Sequence, residues 1–285
     1  MNQPDQIRTD QKPQNTLNPP MPQEKVDLPV LAKGIRNLRE LAGIPTREGR
    51  VIRQGLLLRS ADLHHASQED LLMLNDLGLK RVADLRTQWE IDAAPDELEK
   101  DWRLFHLPVL HEETMSRSEH GQLQLLKLAA EDPFAMLKEA YRDMMISPSG
   151  IRAWKQFFAL LLESDEPILW HCTQGKDRTG MAAALLLHAL NVDEKLIEEE
   201  YLQTNLYVGS VIRSMPDLKI RTPLKQDLSA LDAAISYAWP QYYDSAAQSV
   251  LEDYGGWDSY LRDALGLEQK DLDLLRERYT EPVRS

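Results

Sequence analysis

The sequence predicts an α/β fold: a central, mostly parallel sheet of about four to five strands flanked by helices, with a helical C-terminal part. Three observations predict it. The apolar run Pro167-Ile168-Leu169-Trp170 enters a polar loop, and a second apolar run, Met181 to Leu187, leaves it, the order of strand, tight loop and helix. Further strand-like runs lie at Leu79 to Leu85 and Arg103 to Val109. After Asn191 the pattern is helical to the end.

The elements follow in order. The first 25 residues are rich in Gln, Asn, Pro and Asp, and read as a disordered polar tail. Residues 26–280 read as a single domain, long enough to bury a sizeable core. Residues 26–60 predict an irregular opening with a short strand or hairpin near Val51 to Leu58. Ser67 caps a helix carrying Leu71, Leu72 and Leu74, and Gly78 stops it. A strand at 79–85, a short helix after Pro95 and a strand at 103–109 come next. Residues 119–146 read as helical, with Pro133 starting a new segment. Ile151, Trp154, Phe158 and Leu161 share one helical face and predict core. The strand 167–171 and the helix 178–189 flank the polar loop, and helices follow at 193–206, roughly 225–239, 244–254, 257–265 and 268–279. Gly255 and Gly266 serve as helix stops. Glu198, Glu199 and Glu200 read as a solvated helix face.

Composition narrows the function. A net charge of −13 argues against nucleic acid and against a generally anionic membrane surface as partners. No window resembles a signal peptide or a transmembrane segment, so a cytoplasmic location is the default expectation. The single cysteine excludes an intramolecular disulfide.

That cysteine lies in the loop His171-Cys172-Thr173-Gln174-Gly175-Lys176-Asp177-Arg178-Thr179-Gly180. Unpaired N–H groups and the dipole of the following helix attract an anion there. Free cysteine has a pKa of about 8.5, and such a site lowers it to roughly 3.5–7.5. Cys172 is therefore the candidate nucleophile. Arg178 offers a planar fork matched to two phosphate oxygens. Gly175 lets the loop curl so that its N–H groups converge, with Thr173, Gln174 and Lys176 completing the phosphate-binding turn. Thr179 is placed to hydrogen-bond the sulfur. Asp177 is a carboxylate beside an anion site, which suits proton donation or water activation.

Other readings fit less well. An ordinary cysteine is a small buried hydrophobe. Arg at +6 followed by Thr or Ser and then Gly arises by chance after a given Cys roughly once in a few thousand times. A Walker loop needs Ser or Thr after Lys176 and Gly at position 170, where this chain has Asp177 and Trp170. The histidines show no metal-ligand spacing, so no metal or other cofactor is expected. His188 reads as a core histidine, and His171 as a residue that tunes or orients Cys172.

The Cys-x5-Arg-Thr-Gly loop resembles that of the protein tyrosine phosphatase superfamily. The Gly-Lys-Asp-Arg-Thr-Gly variant resembles the bacterial and fungal tyrosine phosphatase family, which includes a mycobacterial secreted phosphatase and lipid-active relatives. The resemblance runs from about residue 30 to 278. It includes Asn37 to Gly43, Gly55 through Arg59-Ser60-Ala61-Asp62-Leu63, Asp84-Leu85-Arg86 with Glu90 and Pro95, Tyr201 to Asn205, and Tyr254-Gly255-Gly256 to Tyr260-Leu261. Leu38, Glu40 and Ala42 depart from the family's N-terminal motif.

The resemblance implies a tyrosine-phosphatase-like fold and a second acidic residue. Asp84 ends the strand-like run on the edge where α/β proteins place their sites, so it either protonates the leaving group or fixes Arg178. Pairing with Arg86 or capping a turn is the structural alternative. Residues 206–245 correspond to a helical lid in relatives, and their Tyr207, Met215, Tyr237, Trp239, Tyr242 and Tyr243 either line a phenyl-ring pocket or pack a helical pair onto the domain.

The expected activity is cysteine-dependent hydrolysis of phosphomonoesters, foremost as a protein-tyrosine phosphatase, dual specificity included. The alternative substrate class is a phosphoinositide or inositol phosphate, which the charge on Lys176 would suit. The alternative of another class is a pseudophosphatase that binds phosphorylated partners, against which an intact Cys172, Asp177 and Arg178 count.

Overall fold

A computed structural model of the chain describes residues 19–21, 34–110, 132, 134–207 and 229–283. Most of the expected tail, the start of the segment expected at 119–146 and residues 208–228 of the expected lid lie outside the described residues.

The central sheet has five strands: β1 (Arg39–Glu40), β3 (Leu57–Ser60), β4 (Arg81–Asp84), β5 (Arg103–His106) and β6 (Ile168–His171), in the order β1-β3-β6-β4-β5. Only β1 runs antiparallel to its neighbour. Side chains alternate between two cores, as the two-residue period of a strand requires. Leu57, Ala83, Ile168 and Trp170 face a large core shared with Trp154, Phe157 and Leu185, while Leu58, Val82 and Leu169 face a smaller one shared with Leu71 and Leu74. Burial on both faces explains why these strands read as continuous apolar runs.

Near Val51 to Leu58, where a short strand or a hairpin is expected, strands form but not as a hairpin. β2 (Arg50–Ile52) pairs instead with β7 (Thr280–Pro282), with Val51 opposite Glu281. Leu57 and Leu58 are both fully buried, so β3 needs cover on two faces, whereas Arg50 and Val51 are half-buried and suit a two-stranded edge. The strand expected to reach Val109 stops at His106, with Pro108, which has no N–H to donate, shortly beyond.

Helix α1 (Gln68–Asp76) carries a capping box between Ser67 and Asp70. Helix α2 (Gln88–Ala93) replaces the short helix expected after Pro95. Thr87 and Glu90 form its capping box, and Pro95 disfavours helical backbone at Ala94, so the proline ends this helix rather than starting one. Then come α3 (Ala135–Ile146), α4 (Pro148–Glu163), α5 (Asp177–Ala189), α6 (Glu194–Gln203), α7 (Ser229–Ser236), α8 (Pro240–Tyr254) and α9 (Gln269–Tyr279). Helix α5 is apolar almost all round and correspondingly buried. Trp170 Nε1 donates to Thr179 O at 3.2 Å, tying β6 to α5 across the loop between them.

Register sets the position of that loop. Ser60, His171 and Asp84 sit side by side at the carboxyl ends of β3, β6 and β4. The chain after His171 therefore emerges at the sheet edge where open α/β folds bind ligands.

Candidate active site

Main-chain carbonyls show how the loop is shaped. Thr173 O accepts from Asp62 N at 3.3 Å, Gln174 O from Asn37 Nδ2 at 3.1 Å, and Gly175 O from Asn37 Nδ2 and Arg59 Nη2, each at 2.8 Å. In a trans peptide the N–H points opposite to the preceding C=O. Holding these carbonyls outward therefore turns the N–H groups of Gln174, Gly175 and Lys176 to the other face, a nest for an anion. Gly175 is required here, because its φ is +64° and a Cβ would lie 2.3 Å from Ser60 O.

Behind the loop sits a buried charge cluster. Arg59 Nη1 meets Glu200 Oε2 at 2.6 Å, and Arg39 Nε donates to Glu200 Oε1 at 3.0 Å. Burial first, then the neighbouring Arg59, lowers the Arg39 guanidinium to about 10, while Glu200 opposes the fall. Glu200 is thus not on the solvated face expected for it. Two buried arginines need a counter-charge, and a buried ion pair stripped of one partner is strongly destabilised.

Cys172 is 2% exposed at the mouth of α5. Thr179 Oγ1 is buried without a hydrogen-bond partner among the described residues. Arg178 donates through Nη1 to Glu90 Oε2 at 2.6 Å and through Nη2 to Glu90 Oε1 at 2.7 Å. Arginine has five donors in a fixed fork, so this end-on pair leaves the Nε edge for a second anion. Burial works against the charge of Arg178, but Glu90, then Cys172 and Asp177, hold its pKa above the ordinary value. Burial likewise works against Glu90, yet Arg178 and the Thr173 hydroxyl, 2.6 Å away, bring it down to about 2.

Asp177 begins α5. Its Oδ1 accepts from Tyr141 Oη at 2.6 Å and lies 3.5 Å from Lys176 Nζ. Lys176 Nζ also donates to the carbonyls of Ile235 and Tyr237, at the end of α7.

Asp84 belongs to a different cluster. Both its oxygens accept from Arg86, at 2.9 Å and 2.7 Å, and Arg86 Nη2 also reaches Asp96 Oδ2 at 2.7 Å. His171 lies between the carboxylates, with Nε2 3.2 Å from Asp96 and Nδ1 3.9 Å from Asp84, ion-pair distances rather than aligned hydrogen bonds. Burial disfavours the imidazolium, but Asp96 and then Asp84 raise the pKa of His171. Asp84, Asp96 and His171 are close enough to share one ion. Arg86 already supplies the cation that the two carboxylates share, so the set does not fit a metal.

The sequence has known counterparts. The sequence profile of the tyrosine phosphatase family matches residues 30–281. A Cupriavidus necator protein named as a tyrosine-protein phosphatase is 33% identical, covering 86% of each chain. The triple specificity protein phosphatase PtpB of Mycobacterium tuberculosis is 27% identical, over 85% of this chain and 96% of its own. A tyrosine-protein phosphatase of Nostoc commune is 31% identical, over 78% of this chain and 73% of its own.

The chain belongs to the tyrosine phosphatase family.

Within that family frame, the structure adds one residue that sequence reasoning left without a role. Glu90, not Asp84, grips Arg178. Its signal was the pattern Thr87-x-x-Glu90, a capping box that also aims the glutamate at the loop. None of the described helices is long and apolar enough to cross a membrane.

Proposed function

We propose that this protein is a cysteine-dependent phosphomonoester hydrolase acting as a protein-tyrosine phosphatase, dual specificity included, through a phosphocysteine intermediate and without a metal. The observation that carries this reading is the loop: three N–H groups turned to one face, in the turn that joins Cys172 to an Arg178 clamped by Glu90. The sulfur attacks phosphorus, the ester P–O bond breaks, and Asp177 protonates the leaving oxygen. Water then attacks the phosphocysteine and gives its proton to Asp177, while sulfur leaves as thiolate toward the Thr179 hydroxyl. The N–H groups and Arg178 stabilise the equatorial oxygens in both steps.

Residues 26–280 are read as one catalytic domain, supported by the family match and by the pairing of β2 with β7. Of the two readings of residues 206–245, packing onto the domain is supported at their described end, where Tyr242 and Tyr243 are buried in the core and Lys176 holds Ile235 and Tyr237. The same contacts weigh against the phosphoinositide alternative, because the ammonium that would meet an extra phosphate is already engaged. The breadth in the name of the mycobacterial relative supports including more than one class of phosphoprotein ester. A thiolate mechanism calls for a reducing compartment, which agrees with a cytoplasmic location.

Two tests apply. A phosphotyrosine peptide is expected to be hydrolysed in the presence of EDTA, and one equivalent of iodoacetate to stop the reaction unless inorganic phosphate protects. With a single cysteine the labelled site is unambiguous. A metal requirement, or activity after complete alkylation, would overturn the proposal. The second test separates the aspartates. Asp177→Asn is expected to slow phosphotyrosine by roughly a hundredfold and an activated aryl phosphate far less, since a good leaving group scarcely needs a proton. Asp84→Asn is expected to depress both alike by disturbing Arg86 and His171. The reverse pattern would assign the proton to Asp84.

A further inference from the structure

Two buried tyrosines stand behind Asp177, and the mechanism above uses neither. Tyr141 on α3 and Tyr201 on α6 are at most 1% exposed. Their hydroxyl oxygens lie 2.8 Å apart, and Tyr141 Oη donates to Asp177 Oδ1 at 2.6 Å. A tyrosine hydroxyl has one proton. With that of Tyr141 committed to Asp177, the bond between the tyrosines runs from Tyr201 to Tyr141. Both hydroxyl protons therefore point toward the carboxylate.

Packing holds the chain in place. The Tyr141 ring stacks on Tyr242 at 5.3 Å and meets Tyr201 edge-on at 6.2 Å. Gly180 lets α5 approach Tyr201 closely, since a Cβ there would lie 3.0 Å from the ring. Burial, then the charge of Asp177, pushes both hydroxyls well above their ordinary pKa, so they remain donors.

The two oxygens of Asp177 are thereby made unequal. Oδ1 receives Tyr141 and is the oxygen nearer Lys176, at 3.5 Å. A proton on Oδ1 would meet two donors, so the transferable proton belongs on Oδ2. We propose that Tyr141, backed by Tyr201, is a positioning residue that pins Asp177 by Oδ1 and reserves Oδ2 for the leaving group and then for water. In the first step the proton on Oδ2 passes to the ester oxygen as the P–O bond breaks. The negative charge left on the carboxylate is shared with Oδ1, where the Tyr141 hydrogen bond strengthens. In the second step Oδ2 takes the proton of the attacking water, and the chain is back at its start.

This inference rests on Asp177 as the general acid, so Asp177→Asn is measured beside Tyr141→Phe. Each variant is compared with the wild type at its own pH optimum, on a phosphotyrosine peptide and on an activated aryl phosphate. Tyr141→Phe is expected to lose roughly tenfold in kcat/KM on phosphotyrosine, a part of the 10²–10⁴ that a general acid supplies, and under about threefold on the activated ester. The basic limb of its pH profile is expected to move to higher pH, because a lost donor favours the protonated carboxyl. Tyr201→Phe is expected to shift both readouts in the same sense by about threefold or less, and it decides the matter if Tyr141→Phe does not fold. Equal losses on both substrates with an unmoved limb would mean that the tyrosines only pack, and would overturn the inference while leaving Asp177 in place. An Asp177→Asn variant with no leaving-group dependence would instead remove the general-acid reading, and this inference with it.

Discussion

Cys172→Ser is expected to abolish turnover by several orders of magnitude while phosphate binding survives. A serine hydroxyl in the same place is a far weaker nucleophile than a thiolate, and nothing else in the loop can form the covalent intermediate. Binding has a separate origin. Asn37, Arg59 and Asp62 hold the carbonyls of the loop, and Glu90 holds Arg178, through atoms other than sulfur. The nest and the fork therefore persist in the variant, and orthovanadate or inorganic phosphate should still bind with affinity near that of the wild type. Single-turnover hydrolysis of a phosphotyrosine peptide and an anion titration by calorimetry measure the two properties. Residual hydrolysis above about 1% of wild type would sink the assignment of Cys172 as nucleophile.

The contrast between local and long-range information explains what the sequence disclosed. Strands β4 and β6 were legible because both faces are buried, which leaves an unbroken apolar run between polar residues. The loop was legible because a thiol, a glycine and a guanidinium must keep fixed spacing within one turn to meet one phosphate. Its support was not. Asn37 reaches Gly175 across 138 residues, and Arg59 reaches Glu200 across 141. No periodicity marks such pairs, so Glu200 looked like its solvated neighbours Glu198 and Glu199. The hairpin failed for the same reason, since the partner of β2 lies at the other end of the chain. Asp84 was visible at a strand end, but sequence alone left open whether it serves Arg86 or Arg178. Helix α2 was misplaced for a local reason: Pro95 both starts and stops helices, and the capping pattern at Thr87 carries the better signal.

Arg178→Lys is expected to lower kcat/KM by roughly a thousandfold. The guanidinium meets Glu90 at two points and still offers its Nε edge to phosphate, whereas an ammonium is a point charge that cannot do both. Loss of the planar fork costs two contacts to oxygens whose charge grows in the transition state, so kcat should fall more than KM rises. Glu90→Gln tests the other half of the clamp. An amide keeps a single accepting oxygen, so it can accept from Thr87 or from Thr173 but not from both, and it no longer offers Arg178 a charge; a loss of roughly tenfold, milder than that of Arg178→Lys, is expected. The pH dependence of stability distinguishes this pair from a mere contact. Glu90 is held at about 2 in the folded protein, against about 4.3 for a free glutamate. A depressed folded-state pKa stabilises above the unfolded value and is lost as pH falls through the folded one. The stability difference between wild type and Glu90→Gln should therefore be constant above about pH 5 and shrink between roughly pH 4 and pH 2. Urea midpoints at pH 6 and pH 3 measure it. A difference that stays the same at both would mean that Glu90 contributes no charge to the clamp, and Arg178 would then be held by its surroundings alone.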